Sequence, residues 1–138
     1  MFKSLSLKVI VFGFIFTFFS SFGQSFFIGL FNSSIRDALS ITHGQFGSIY
    51  ASATLLSSIV LVWIGKKIDD VNILKFASYV IIFLSASCFI FSKISSVFFL
   101  FVGIFLMRLA GQGLSSHTAT TTLSVSYTHL TLPTTVIV

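Results

Sequence analysis

Of 138 residues, 55% are apolar and 8% charged, giving a mean hydropathy of +1.06, whereas a soluble domain carries about a quarter charged residues to cover its surface. That shortage excludes a water-soluble globular domain. The net charge of +5 does not mark a nucleic-acid surface, because the cations are spread over short connections instead of being gathered on one face.

Uncharged runs cover Val9 to Ile35, Ala38 to Gly65, Phe76 to Ser92 and Ile94 to Met107. A helix needs about 20 mostly apolar residues to cross a hydrocarbon core of roughly 30 Å. The expected fold class is therefore an all-α membrane protein with four transmembrane helices, at residues 9–31, 44–64, 74–92 and 96–122. Lys3, Lys8, Lys66, Lys67 and Lys75 fall on one side of this arrangement, and only Arg36 and Lys93 on the other. Positive residues favour the cytoplasm, which places the N-terminus there. The expected location is a bacterial cytoplasmic (inner) membrane, with the lipid bilayer as first partner.

The first span follows Lys3 and Lys8, as a signal peptide would. Its apolar run is too long for one and lacks a small-residue cleavage site, so it is read as a retained helix. Within it Thr17, Ser20, Ser21, Gln24 and Ser25 form a polar stripe at helical spacing, which should face partner helices or a watery cavity. Gln24 is the member assigned to solute contact; helix-to-helix hydrogen bonding is the other reading of the stripe.

Asn32 to His43 is a polar connection with a short turn of helix, expected outside. Gly44, Gly47, Ser48, Ala51 and Ser52 then open the second span. Small residues at four-residue spacing let backbones approach, so Gly47 and Ala51 are expected at a helix-packing contact, as is Gly111 further on.

Between the second and third spans lies WIGKKIDDVNILK, Trp63 to Lys75, with five of the eleven charged side chains. Lys66 and Lys67 complement the negative end of one helix, while Asp69, Asp70 and Asn72 can cap the next. The spacing of Gly65, Asp69 and Lys75 resembles the loop between the second and third helices of the major facilitator superfamily. In that family the Asp is usually followed by a basic residue and then a glycine, where Asp70 and Asn72 stand here. The resemblance implies a cytoplasmic conformational gate made by Gly65, Lys66, Lys67 and Asp69.

The third span contains Tyr79 and a single cysteine, Cys88; it reads as a scaffold. One cysteine forms neither a disulfide nor a zinc site, and no metal or cofactor is expected. The fourth span must accommodate Arg108 near the bilayer midplane. An arginine there costs about 2.5–3.5 kcal/mol on insertion scales, and such residues mark ion or solute pathways. The following run, RLAGQG, resembles the fourth-helix motif of the same superfamily, an arginine followed by Gln and glycines. That resemblance implies an inward-facing arginine engaged in proton coupling or anion binding. Arg108, Gln24, Gln112 and His117 are the candidate pathway residues. A structural arginine bonding the carbonyls of a neighbouring helix is the competing reading of Arg108.

From Val125 the text reads VSYTHLTLPT and contains the one proline. It continues no pattern of the fourth helix and resembles a translated reading frame of a sequencing-library adapter. Residues 1–124 are thus read as a truncated helical bundle from the N-terminal six-helix half of a transporter, and residues 125–138 as a non-native tail.

Members of the superfamily bind solute between two six-helix halves, near the midplane. The implied function is secondary transport of a small solute, an organic anion in one reading, with proton coupling, by alternating access. The missing C-terminal half is the implied partner, and the fragment alone is expected to be inactive. The alternative is a small four-helix structural or assembly subunit. No enzyme is expected, because no paired carboxylates, metal-ligand cluster or activated nucleophile can be assembled.

Overall fold

A computed structural model describes residues 2–67 and 71–131. Every element among them is helical. In order they are α1 (Phe2–Ser20), a 3-10 turn (Ser21–Gly23), α2 (Ser25–Leu30), α3 (Asn32–Leu39), α4 (His43–Gly65), α5 (Ile73–Ser92), α6 (Val97–Met107), a π-helical stretch (Arg108–Ser115) and α7 (Ser116–Thr131). Four spans are long and apolar enough to cross a membrane: Leu7–Leu30, His43–Gly65, Ile73–Ser92 and Val97–Ser126. The chain is a multi-pass, all-α membrane protein.

Its outer surface says the same. Phe14, Leu30, Trp63 and Phe98 are 71% to 76% exposed, a rim of apolar side chains that water would disfavour and acyl chains accept. The fourth span is the internal one. Leu100, Ile104, Met107 and Ala110 are almost fully buried along it, against one face each of the other three.

Two apolar clusters divide the interior. One gathers Phe16, Ala77, Val80, Leu109, Leu114 and Ala119, the other Ile28, Phe46, Ala53, Leu100, Ile104 and Met107. They meet in the fourth span between Met107 and Leu109. Arg108 occupies that junction.

Local sequence accounts for the helix ends. Thr42 and Gln45 make a reciprocal capping box at the start of α4, with bonds of 2.8 and 3.2 Å, which satisfies two donors that helix starts leave open. Asn72 Oδ1 accepts from Leu74 N at 3.0 Å to start α5, as its side chain suggests; Asp69 and Asp70, the other expected caps, lie outside the described residues. The expected turn between Asn32 and His43 is a two-turn helix, α3, ended by Ser40 in the left-handed region (φ 53°).

Two features differ from the sequence expectation. The first span is not continuous: the chain tightens at Ser21–Gly23 and is extended at Gln24 (φ −78°, ψ 154°) before α2 resumes. The fourth span, expected over 96–122, stays helical to Thr131, with the Leu123 side chain packed beside Gly13 of α1. Residues 132–138 lie outside the described residues.

Candidate functional site

The site grows from the break in the first span. The Gln24 carbonyl accepts the first bond of α2, from Ile28 N at 3.2 Å, which leaves the Gly23 carbonyl outside the helical ladder. A free carbonyl in a membrane interior is costly unless a donor reaches it. Arg108 Nη1 does so, donating to Gly23 O at 3.1 Å and to Ser25 Oγ at 3.3 Å. Arg108 itself is 9% exposed.

Tyr50 of α4 closes the network. Its hydroxyl donates to Ser25 Oγ at 2.7 Å, and its ring lies 5.3 Å from the guanidinium carbon, within cation–π range. Three elements are thus tied together: the break, α4 and the π-helical stretch. Every partner is neutral. Of the three acidic residues of the chain, Asp37 lies between the first two spans, and Asp69 and Asp70 are outside the described residues. Among the described residues no carboxylate pairs with Arg108.

The break is possible because the fourth span lies against it backbone to backbone. A Cβ on Gly23 would collide with Met107 O and Gln112 N, and one on Gly111 would approach Gly23 N and Cα at 2.5 and 2.7 Å. Close approach of this kind needs glycine on both sides. The π-helical widening over Arg108–Ser115, with Ser115 Oγ donating back to Ala110 O at 2.8 Å, turns successive side chains through a smaller angle than an α-helix would and so shifts the faces on which they lie; such widenings are frequent at functional sites.

On the other side of the guanidinium lies a cleft of about 180 Å³ lined by Thr54, Ser57, Ser58, Leu61, Arg108, Gln112 and Gly113. Thr54 Oγ1, Arg108 Nε and Gln112 Oε1 are buried polar atoms with no hydrogen-bond partner among the described residues. All three belong to residues that line this one cleft. Buried polar atoms are nearly always paired in folded proteins, so three in neighbouring residues are an exception to that rule. A larger cavity, about 450 Å³, lies near Phe22, Phe31, Phe91 and Cys88. Its walls are apolar, and Cys88 Sγ there contacts Met107 Sδ at 3.6 Å.

The candidate residues read from sequence are placed unevenly. Arg108 and Gln112 share the cleft. Gln24 is the pivot of the break, but the Arg108 bonds go to its neighbours Gly23 and Ser25, and its side chain makes no hydrogen bond among the described residues. His117 lies a turn and more below, with Nδ1 2.9 Å from Thr121 Oγ1 and its ring beside Gly65, away from the cleft. Lys66 and Lys67 form the exposed turn after α4; Asp69, the acidic member of the expected gate, is outside the described residues.

The expected packing contacts also separate. Gly111 is at the tightest crossing in the bundle, whereas nothing comes within 4 Å of a Cβ on Gly47 and Ala51 is exposed. Gly44, Gly47, Ser48, Ala51 and Ser52 at the start of α4 are exposed, and the close approach falls at Gly23 instead. Of the polar stripe in the first span, Thr17 and Ser20 bond back to their own helix, at Gly13 O and Thr17 O; Ser25 alone of the stripe bonds to other helices.

Tyr50, Thr54 and Ser57 were missed from sequence. Their signal was present: with Leu61 they recur at steps of three and four residues, one face of a helix. No match is found for the chain among protein-family models, curated proteins or solved structures.

Proposed function

We propose that this chain is part of a secondary transporter of the major facilitator superfamily, moving a small solute by alternating access in the full-length protein. The observation that carries the reading is a cleft whose lining residues include Thr54, Arg108 and Gln112, each with a buried polar atom that has no partner among the described residues, beside a cation with no carboxylate partner among them. A charge kept inside the membrane at a cost of about 2.5–3.5 kcal/mol calls for a compensating role. Discontinuous helices whose freed backbone lines a cavity are a recurring way to build solute sites at the midplane.

In this reading an organic anion, or a proton-coupled solute, meets Arg108 and Gln112. The turn at Gly65, Lys66, Lys67 and Asp69 acts as the cytoplasmic gate. The distribution of lysines supports an N-terminus in the cytoplasm of a bacterial inner membrane. Activity requires the second half of the transporter, against which the first half rocks.

A structural or assembly subunit is the second reading, favoured by one observation: Arg108 Nη1 satisfies the Gly23 carbonyl, which is a scaffold task. Uptake of organic anions into proteoliposomes by the full-length gene product separates the two. The transporter reading expects Arg108→Ala and Arg108→Lys each to lower uptake at least tenfold; unchanged uptake in both removes Arg108 from the pathway.

A further inference from the structure

We propose that the larger cavity, beside Phe31 and Phe91, takes one acyl chain of an anionic phospholipid from the surrounding bilayer, with the phosphate held at Lys93. Its walls belong to the described residues, so the inference stands apart from the transport reading and needs no second half.

Two facing elements make the space. On α3, Ser34 and Ala38 stand one helical turn apart, and on α5 Cys88 and Ser92 do the same; all four line the cavity, since residues four apart share a helix face. Small side chains on both sides leave the gap. Rings bound it: Phe31 lies 5.4 Å from Phe27 and 6.3 Å from Phe91, edge to face in both cases. The space is about 450 Å³ and mainly apolar, and an empty one would leave its lining without contacts on that side.

Its level in the membrane follows from α3. Ile35 and Leu39 pack on the apolar cluster around Ile28 and Leu100, while Ser33 and Asp37 are exposed. A short helix with one apolar and one charged side lies in the plane of the headgroup region. The cavity therefore opens where a phospholipid passes from phosphate to chain.

Charge decides between a lipid chain and another helix as the occupant. Lys93 stands between Ser92 and Ile94, both in the wall. Its ammonium lies 5.9 Å from the Phe89 ring centre and pairs with no carboxylate among the described residues. Arg36 of α3 bonds to the neutral Asn32 Oδ1 at 2.8 Å, and Asp37 beside it offsets one of these two cations. One positive charge is left over at the rim. A helix would bring an apolar face that gives this charge nothing, and a zwitterionic lipid brings a cation of its own with the phosphate. An anionic phospholipid brings the chain and the phosphate together, with its negative charge to spare for a basic side chain.

Quenching of a single tryptophan by phospholipids with brominated chains tests this, on the purified chain in vesicles of dioleoylphosphatidylcholine and dioleoylphosphatidylglycerol. Trp63 is the one tryptophan, so Trp63→Phe with Phe31→Trp reports from the cavity. Trp63→Phe with Phe14→Trp reports from the side of α1, where Phe14 is exposed. At position 31 the anionic lipid should be preferred at least about fivefold, the factor that one basic side chain gives beside an anionic surface; at position 14 the two should bind about equally. Lys93→Gln should bring the ratio at position 31 to about one. Lys93→Arg should keep it, as should Lys67→Gln at the opposite end of the bundle. Ala38→Phe, which fills the space from an exposed position, should abolish the preference. A ratio of about one at position 31 with Lys93 in place, or the same ratio at both positions, overturns the proposal. A preference that survives Ala38→Phe puts the lipid outside the cavity and overturns it as well. Loss of quenching at position 31 as protein density in the vesicles rises gives the cavity to a second copy, and loss of the preference in the full-length gene product gives it to a further helix; either overturns it.

Discussion

Gly23 of the first span and Gly111 of the fourth cross with their backbones in contact, so that a Cβ on Gly111 would lie 2.7 Å from the Gly23 Cα. The crossing holds the helix break at the level of Arg108 and lets the guanidinium reach a carbonyl that a continuous helix would have used itself. Site and packing are one arrangement here.

Gly111→Ala and Gly23→Ala should each destabilise the bundle. The intruding methyl meets backbone, which cannot swing aside, and overpacking of this kind costs about 1–3 kcal/mol. Gly47→Ala, where the added methyl meets nothing within 4 Å, is the control and should stay within about 0.5 kcal/mol. Denaturation in mixed micelles followed by circular dichroism measures all three. Equal effects at Gly47 and Gly111 would contradict the crossing.

Replacing Arg108 by methionine weighs two opposed terms. Loss of the charged hydrogen bonds to Gly23 and Ser25 removes about 1.5–3 kcal/mol, while relief of the buried charge returns about 2.5–3.5 kcal/mol. Stability should therefore fall by no more than about 0.5 or rise by up to about 2 kcal/mol in the same assay. A loss above about 3 kcal/mol would assign Arg108 to the scaffold and favour the structural-subunit reading.

Tyr50 offers a finer dissection. Tyr50→Phe deletes the 2.7 Å bond to Ser25 and keeps the ring over Arg108, and should cost about 1 kcal/mol. Tyr50→Leu also removes the cation–π contact, adding about 0.5–2 kcal/mol. In a double-mutant cycle, Tyr50→Phe with Ser25→Ala should cost less than the sum of the single changes, since both delete the same bond. Strict additivity would mean that the hydroxyls do not meet.

Gln112→Leu should leave stability unchanged or raise it by about 1 kcal/mol, because it replaces a buried acceptor without a partner by an apolar group of similar size. A site residue that makes the fold no better is the signature of a stability–function trade-off. Marked destabilisation would show that Oε1 is satisfied in the folded chain.

The membrane class of this chain was legible because it follows from composition and run length alone: residues without charge, about 20 at a stretch, have no stable place but lipid. Arg108 was legible for the same reason, as a charge where none is affordable. The break at Gln24 was not, since Gln24 and Ser25 read equally well as the end of a polar helical stripe that begins at Thr17. Nothing local distinguishes a glycine that packs from one that merely lies in a span, which is why Gly47 and Ala51 looked like a packing face and Gly23 did not.

The sequence by itself determined four apolar helices, an arginine within the fourth of them and the Asn72 cap, because each depends on hydrophobicity or on neighbours within one turn. Only the tertiary structure decided that Arg108 serves the Gly23 carbonyl, that Tyr50 covers it, and that Thr54, Arg108 and Gln112 line one cleft. Those relations join residues tens of positions apart, and they exist only once two glycine backbones have met.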